Sequence, residues 1–451
     1  MTCRRSFISS AAGATVLISA KGLSLAASGS IPIVTAITRV YGDGVRLIAL
    51  AVRYGVPIVG KGLTTGSFKV EGRTVVDVFP SPSADPDQRS ETGPFLIIAL
   101  SADDPGALLA QKVGSTNDGS NGQTGSGGGP GGKGGPGKAG DIPPYDTIYS
   151  APSAALEQVG EVHLADGRSV APSTVPIAVS KVANLVVDSF RQLTFEDRKT
   201  GRTLPYNLFV PRDYDGTKAY PLVLFMHDAG ATSDVVRTTL LQGLGAVCWA
   251  ESADQAKRPC FVLAPQFPEI IADDDSHTSN ALDTTIDLIK SLAREYRIDQ
   301  ARLYATGQSG GCMMSIAMNI KYPDFFAASF LVAGQWDASL VAPLASKKLW
   351  ILVSQDDDKA FPGQNAIVKA LENHGARASL ATWDGRWTAA EFREAFDSID
   401  SERNPINYIS FTKGTVIPKG ETTAGASGHR NTWRIAYSIE PIREWIFRQR
   451  L

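Results

Sequence analysis

The stretch "LYATGQSGGCMMSIAM", residues 303–318, decides how the second half of the chain is read. A short apolar run ends at Gly307, a serine sits in a glycine-rich turn, and a helix-like run of Met, Ile and Ala follows as far as Pro323. Gly307-Gln308-Ser309-Gly310-Gly311 satisfies G-x-S-x-G, the turn that lifts a serine hydroxyl between a strand and a helix. In a chain with 43 glycines such a match arises readily by chance. Its weight therefore comes from the surrounding pattern.

That pattern is regular from about residue 187 onward. Short apolar runs recur as "LVLFM" (222–226), "FVLA" (261–264), "RLYAT" (302–306), "SFLVA" (329–333), "LWILVS" (349–354) and "SLATW" (379–383), most of them separated by helical patterns. In "ALDTTIDLIKSLAREY", Leu282, Ile286, Ile289, Ala293 and Tyr296 form one apolar stripe at helical spacing. Such alternation predicts a mostly parallel sheet with helices on both faces over residues 187–451, with active groups at the carboxyl ends of its strands.

The first part of the chain reads differently. "TRVYGDGVRLIALAVRY", "SFKVEGRTVVDVF" and "PFLIIAL" are strand patterns, the first folded about Gly42-Asp43-Gly44 as a hairpin. Residues 31–186 thus predict a small all-β antiparallel sandwich. It is interrupted by residues 114–140, so rich in glycine that the expectation is a disordered loop. Ahead of it, Arg4-Arg5-Ser6-Phe7-Ile8 and the weakly apolar stretch that follows read as a twin-arginine-like signal peptide over residues 1–28. The expectation is a secreted or periplasmic protein with no membrane association after cleavage.

At 451 residues the chain suggests two domains, and 43% hydrophobic with 20% charged residues is globular composition. A net charge of −2 provides no field that would attract nucleic acid. Of the cysteines beyond the signal, Cys248, Cys260 and Cys312, the first two are a conceivable pair, but three do not make a disulfide framework.

A serine hydroxyl needs a base, and the base a carboxylate to orient it. Only His374 and His429 lie beyond Ser309. His374 closes a helical run before Gly375, a helix-terminus role that accounts for it. His429, in the glycine-bearing loop "TTAGASGHRNTW", is the expected base. The acid should follow the strand "LWILVS". Asp356, Asp357 and Asp358 repel one another, so one turns inward; Asp358 is the first choice and Asp357 the second. Backbone N–H groups of Gly310, Ala229 and Gly230 are the expected oxyanion donors, the last two from the loop after "LVLFM". Trp336, Gln308 and His227 are the substrate-binding candidates, His227 more as a residue that orients the loop. The acidic stretch "ADDDSHTSN" (272–280) reads as a solvated loop rather than a cation site, and no metal or organic cofactor is implied.

Taken together, "ITRVYGDG", "FKVEGRTV", "LPYNLFVPRDYD", "PLVLFMHDAG", "IDQARLYATGQSGG", "YPDFFAA" and "GHRNTWRIAYSIEPIREWIF" carry a resemblance. The sequence resembles secreted α/β-hydrolase esterases of the polyhydroxybutyrate depolymerase and feruloyl esterase-like group that carry an N-terminal immunoglobulin-like domain. The resemblance implies an α/β-hydrolase fold after an immunoglobulin-like sandwich. It implies a triad of Ser309, Asp358 and His429, the acid marked by "DKAFP" where the group has D-x-x-x-P. Substrates would be short-chain acyl or aryl esters, feruloyl or acetyl groups on plant polysaccharide, or polyesters. Two departures stand out. Asp228 occupies the oxyanion loop where the group has glycine, so its direction decides whether its charge opposes the oxyanion. Ser354-Gln355 replaces His-Gly before the acid, loosening that alignment by a residue. A serine peptidase with the same triad and a non-catalytic surface binding protein are the rival readings; the oligomeric state is left open.

Overall fold

The computed structural model describes residues 32–112, 137–145, 147–423 and 426–451. The expected signal peptide lies outside them, as does all but the end of the glycine-rich stretch. The exception corrects the sequence reading. Residues 137–140 are held against the C-terminal unit, with the Gly140 N–H on the Ile270 carbonyl (2.8 Å) and the Ala139 N–H on the Asp273 carboxylate (3.0 Å).

The N-terminal strands form a five-stranded sheet in which Lys181–Asn184, Ile33–Tyr41, Gly44–Val59, Thr92–Leu100 and Val75–Ser81 lie side by side. A three-stranded sheet of Ser173–Ala178, Ala155–Gln158 and Phe68–Val70 accompanies it. The hairpin about Gly42-Asp43 forms, with Tyr41 opposite Gly44. One pairing departs from the expected antiparallel pattern: Ile33–Tyr41 runs parallel to Lys181–Asn184, so the last strand of this region closes beside its first.

The second unit is built on nine strands among the described residues: β1 (Arg191–Asp197), β2 (Arg202–Phe209), β3 (Tyr220–Met226), β4 (Phe261–Pro265), β5 (Ile298–Gln308), β6 (Ala328–Val332), β7 (Leu349–Ser354), β8 (Ala378–Trp383) and β9 (Ile406–Phe411). They lie in the order β1-β2-β4-β3-β5-β6-β7-β9-β8. Every neighbouring pair from β4 to β8 is parallel, whereas β2 runs antiparallel to both β1 and β4. All six strands expected from apolar runs are present. Among the strands the sequence reading passed over is β9, "INYISF", fully buried between β7 and β8. Asn407 and Ser410 break its apolar run, yet both side chains are buried.

Six longer helices cover the sheet: α1 (Ala281–Glu295), α2 (Gly310–Lys321), α3 (Ala360–Asn373), α4 (Ala389–Ser401), α5 (Ser427–Ala436) and α6 (Glu440–Phe447). On α1 the expected stripe turns inward, with Leu282, Ile286 and Ile289 buried. α2 ends at Lys321, two residues before Pro323. Among the described residues no helix is long and apolar enough to cross a membrane. Cys248, Cys260 and Cys312 are free and buried, so the conceivable Cys248–Cys260 pair does not form. Trp383 is core, within ring distance of Trp350, Trp387 and Phe392. The acidic loop is less solvated than expected. Asp273 is buried and takes the N–H groups of Asp275 (3.1 Å) and His277 (3.0 Å) as well as that of Ala139.

The two units meet where the hairpin tip rests on α5. A Cβ on Gly42 would lie 2.6 Å from the Arg434 carbonyl oxygen, so no other residue allows this approach without a shift. Asp43 beside it pairs with Arg46 (2.5 Å) and reaches Arg434 (3.3 Å).

Candidate active site

β5 delivers the serine. Ser309 has φ 53° and ψ −121°, left-handed backbone that a non-glycine residue adopts only under constraint, and it precedes the first residue of α2. The constraint is steric. A Cβ on Gly307 would sit 2.4 Å from the Gly311 carbonyl, and one on Gly311 2.0 Å from the Met226 carbonyl oxygen. β5 and α2 can therefore meet this sharply, and α2 can start against the end of β3, only because both positions lack a side chain. The Ser309 N–H is fixed on the Val332 carbonyl at the end of β6 (3.0 Å).

The base arrives from α5. His429 Nε2 lies 2.9 Å from Ser309 Oγ, and its Nδ1 is hydrogen-bonded to Asp357 Oδ2. With Nδ1 donating to the carboxylate, Nε2 is left to accept the serine proton. His429 was expected in a loop; it stands instead in the first turn of α5. There its ring meets Trp433, one turn on, edge to face at 4.9 Å.

The acid corrects the sequence reading. Asp358 is exposed, while Asp357 is buried and faces His429. The reason is the turn leading into α3: Asp357 Oδ1 accepts the N–H groups of Lys359 (3.2 Å) and Ala360 (2.8 Å), two and three residues on. That leaves Oδ2 free for the imidazole.

The oxyanion loop is corrected at one residue. Its Ala229–Ala231 turn is capped by Asp228, whose Oδ1 accepts the Gly230 N–H (2.8 Å). Gly230 is therefore not available as a donor. The Ala231 and Thr232 N–H groups bond within the turn, to Asp228 O (3.1 Å) and Ala229 O (3.2 Å). Among the described residues the Ala229 N–H has no partner, and it adjoins Gly310: a Cβ on Gly310 would lie 3.7 Å from Ala229 N. Gly310 opens α2, where backbone N–H groups are unpaired. Two amides thus converge beside Ser309, the arrangement that receives a negatively charged oxygen.

The three expected substrate contacts are buried. His227 is buried, with Nδ1 donating to the Asp228 carbonyl (2.8 Å) and Nε2 accepting the Phe267 N–H (2.9 Å). Burial pushes its imidazole below the ordinary value, against the smaller opposing pull of Asp228. It pins the loop. Gln308, 1% exposed, donates to Asp228 Oδ2 (2.9 Å) and Gln242 Oε1 (3.3 Å). Trp336 belongs to the hydrophobic core. What the sequence reading missed is a cavity of about 450 Å³ at the junction of the two units. Leu108, Ala110 and Tyr149 line it from the N-terminal side, and Asp228, Arg430 and Trp433 from the other. Trp433 was legible as H-x-x-x-W on one helix face; the N-terminal wall had no local signal.

Comparison with known proteins now adds to this geometry. Residues 33–171 match the esterase Ig-like N-terminal domain family. The first wall of the cavity thus comes from an Ig-like domain. Among solved structures, a thermostable esterase aligns over 93% of this chain and 100% of its own, at 24% identity and a TM-score of 0.73. The fold is therefore an α/β-hydrolase unit preceded by an Ig-like all-β domain. The feruloyl esterase module from Clostridium thermocellum aligns over 56% of this chain and 88% of its own (13% identity, TM-score 0.37). An acetyl xylan esterase from Aspergillus awamori aligns over 42% and 81% (16% identity, TM-score 0.34). At those scores neither bears on substrate. A sequence search of curated proteins gave no match.

Proposed function

We propose that this chain is an exported serine esterase that hydrolyses carboxylic esters through an acyl-enzyme on Ser309. The observation that carries the reading is the continuous hydrogen-bond chain from Ser309 Oγ through the His429 ring to the buried Asp357 carboxylate. Ser309 Oγ attacks the ester carbonyl carbon while His429 Nε2 takes the hydroxyl proton. The carbonyl oxygen becomes an oxyanion held by the Ala229 and Gly310 N–H groups. On collapse His429 returns the proton to the leaving alkoxide, the alcohol departs, and the acyl group stays on Ser309. Water, deprotonated by His429, attacks the acyl carbon; the second collapse releases the acid and restores the serine hydroxyl. Asp357 keeps the imidazole in the tautomer this sequence needs and stabilises the imidazolium between steps.

The cavity at the domain junction is the proposed site for the part of the ester distant from the scissile bond, since it reaches both the oxyanion loop and the turn after His429. Its mixed apolar and polar lining suits short acyl and aryl esters. Export rests on the N-terminal Arg-Arg pattern.

The test is turnover of a p-nitrophenyl ester series, acetate to decanoate, by the wild type and Ser309→Ala. Turnover by the wild type that falls at least about a thousandfold in the variant supports the reading. Equal slow background in both would sink it.

A further inference from the structure

We propose that Asp228 and Gln308 form a positioning clamp that joins the oxyanion loop to the serine elbow and selects Ala229 as the loop's oxyanion donor. The proposal rests on the esterase reading above and adds to it two residues that take no part in proton transfer.

Of the amides from Ala229 to Thr232, three point to acceptors inside their own turn or into the Asp228 carboxylate, and only that of Ala229 has no acceptor among the described residues. Asp228 sets this pattern, because its Oδ1 draws in the Gly230 N–H (2.8 Å) and so turns the preceding amide outward, next to Gly310. A turn fixed only to itself could still move against Ser309. The second carboxylate oxygen prevents that: Asp228 Oδ2 accepts from Nε2 of Gln308 (2.9 Å), the residue immediately before the nucleophile. Both side chains are at most 8% exposed, so water competes weakly for the bond. The orientation of the Gln308 amide is determined by its surroundings. Its nitrogen has two acceptors, Asp228 Oδ2 and Gln242 Oε1 (3.3 Å), and a flipped amide would set oxygen against both.

The clamp also accounts for a carboxylate so near an oxyanion site. Both of its oxygens accept N–H donors, so its charge is spent on hydrogen bonds to the loop and the elbow. Glycine at 228, usual in the group the sequence resembles, could make neither contact. Gln308 is the variable position of G-x-S-x-G, and here it has a specific partner.

The test is polarity reversal, using the full chain and a p-nitrophenyl ester the wild type turns over. Asp228→Asn presents an N–H₂ to the Gln308 N–H₂, and Gln308→Glu sets two carboxylates face to face. Each single variant is expected to lower kcat by about ten- to a hundredfold with KM within about threefold, because a displaced donor is felt in the transition state. Asp228→Asn combined with Gln308→Glu restores the donor–acceptor match in reverse, and kcat should return to within about threefold of the wild type. A merely structural role would not give this kcat–KM split with recovery in the double variant. Single variants at wild-type kcat, or a folded double variant no better than the worse single one, would overturn the clamp while leaving the esterase intact. If a single variant fails to fold, an active double variant still supports the clamp and a folded, inactive one overturns it. A wild type that turns over no ester overturns the underlying reading and the clamp's role with it.

Discussion

Asp357 and Asp228 do the same thing locally and different things globally. Each caps the turn that follows it with one carboxylate oxygen, Asp357 through Lys359 and Ala360, Asp228 through Gly230. Each then reaches across the sheet top with its second oxygen, Asp357 to the His429 imidazole and Asp228 to the Gln308 amide. An imidazole can take and return a proton, so its carboxylate supports chemistry; an amide cannot, so its carboxylate holds geometry. The comparison teaches that the cap fixes which way a carboxylate faces, and the partner brought by the fold fixes what that carboxylate does. A third aspartate, Asp43 at the hairpin tip, shows the solvent-side version, paired with the guanidinium groups of Arg46 and Arg434.

The largest effect that would break the comparison is at the acid. Asp357→Asn keeps the cap through its amide oxygen but presents an N–H₂ to His429, favouring the wrong tautomer. A fall in kcat of about a thousand- to ten-thousandfold is expected. The exposed Asp358→Asn should stay within about twofold. Steady-state kinetics of the pair decides between the two carboxylates directly; the reverse ranking would restore the sequence-based assignment. Asp228→Asn should fall between these variants, at the ten- to hundredfold loss given above.

A smaller effect concerns the residue that pins the Asp228 loop. His227 is held neutral by burial, with its folded value below the ordinary one. The unfolded chain protonates this side chain near pH 6.5 and the folded one only at lower pH, so in that window unfolding takes up a proton. Its contribution to stability is full above about pH 6.5 and declines as pH falls toward the lowered folded value. Denaturation midpoints across pH 5–7 should show a slope component of up to about 1.4 kcal/mol per pH unit. That component should be missing in His227→Asn; the same slope in both proteins would refute the assignment.

The smallest effect sharpens the contrast between buried and exposed carboxylates. Asp43→Asn removes partly exposed ion pairs and should cost less than about 1 kcal/mol, shrinking further at high salt. A larger, salt-independent loss in denaturation experiments would mean that the hairpin tip contributes to stability through more than its charges.

The sequence by itself determined a great deal here. Period and glycine placement were enough for the strand–elbow–helix around Ser309, the stripe of α1 and the hairpin at Gly42-Asp43, because these are local: neighbours in sequence supply the contacts that hold them. His429 was legible by elimination among few histidines. What the sequence left ambiguous depends on contacts between distant segments. β9 is polar at two positions and becomes an interior strand only because β7 and β8 bury both its edges. Asp357 and Asp358 are equivalent until the start of α3 captures one of them and leaves its second oxygen opposite α5, 72 residues away. The status of Gln308 and His227 changed for the same reason: a polar side chain next to a nucleophile looks available until the fold places acceptors and donors around it, after which its hydrogen-bonding capacity is used inside the protein. The junction cavity is the extreme case, since its walls come from residues hundreds of positions apart. Local chemistry chose the elements and the residue types, while tertiary structure chose the partners that give each carboxylate, amide and imidazole its role.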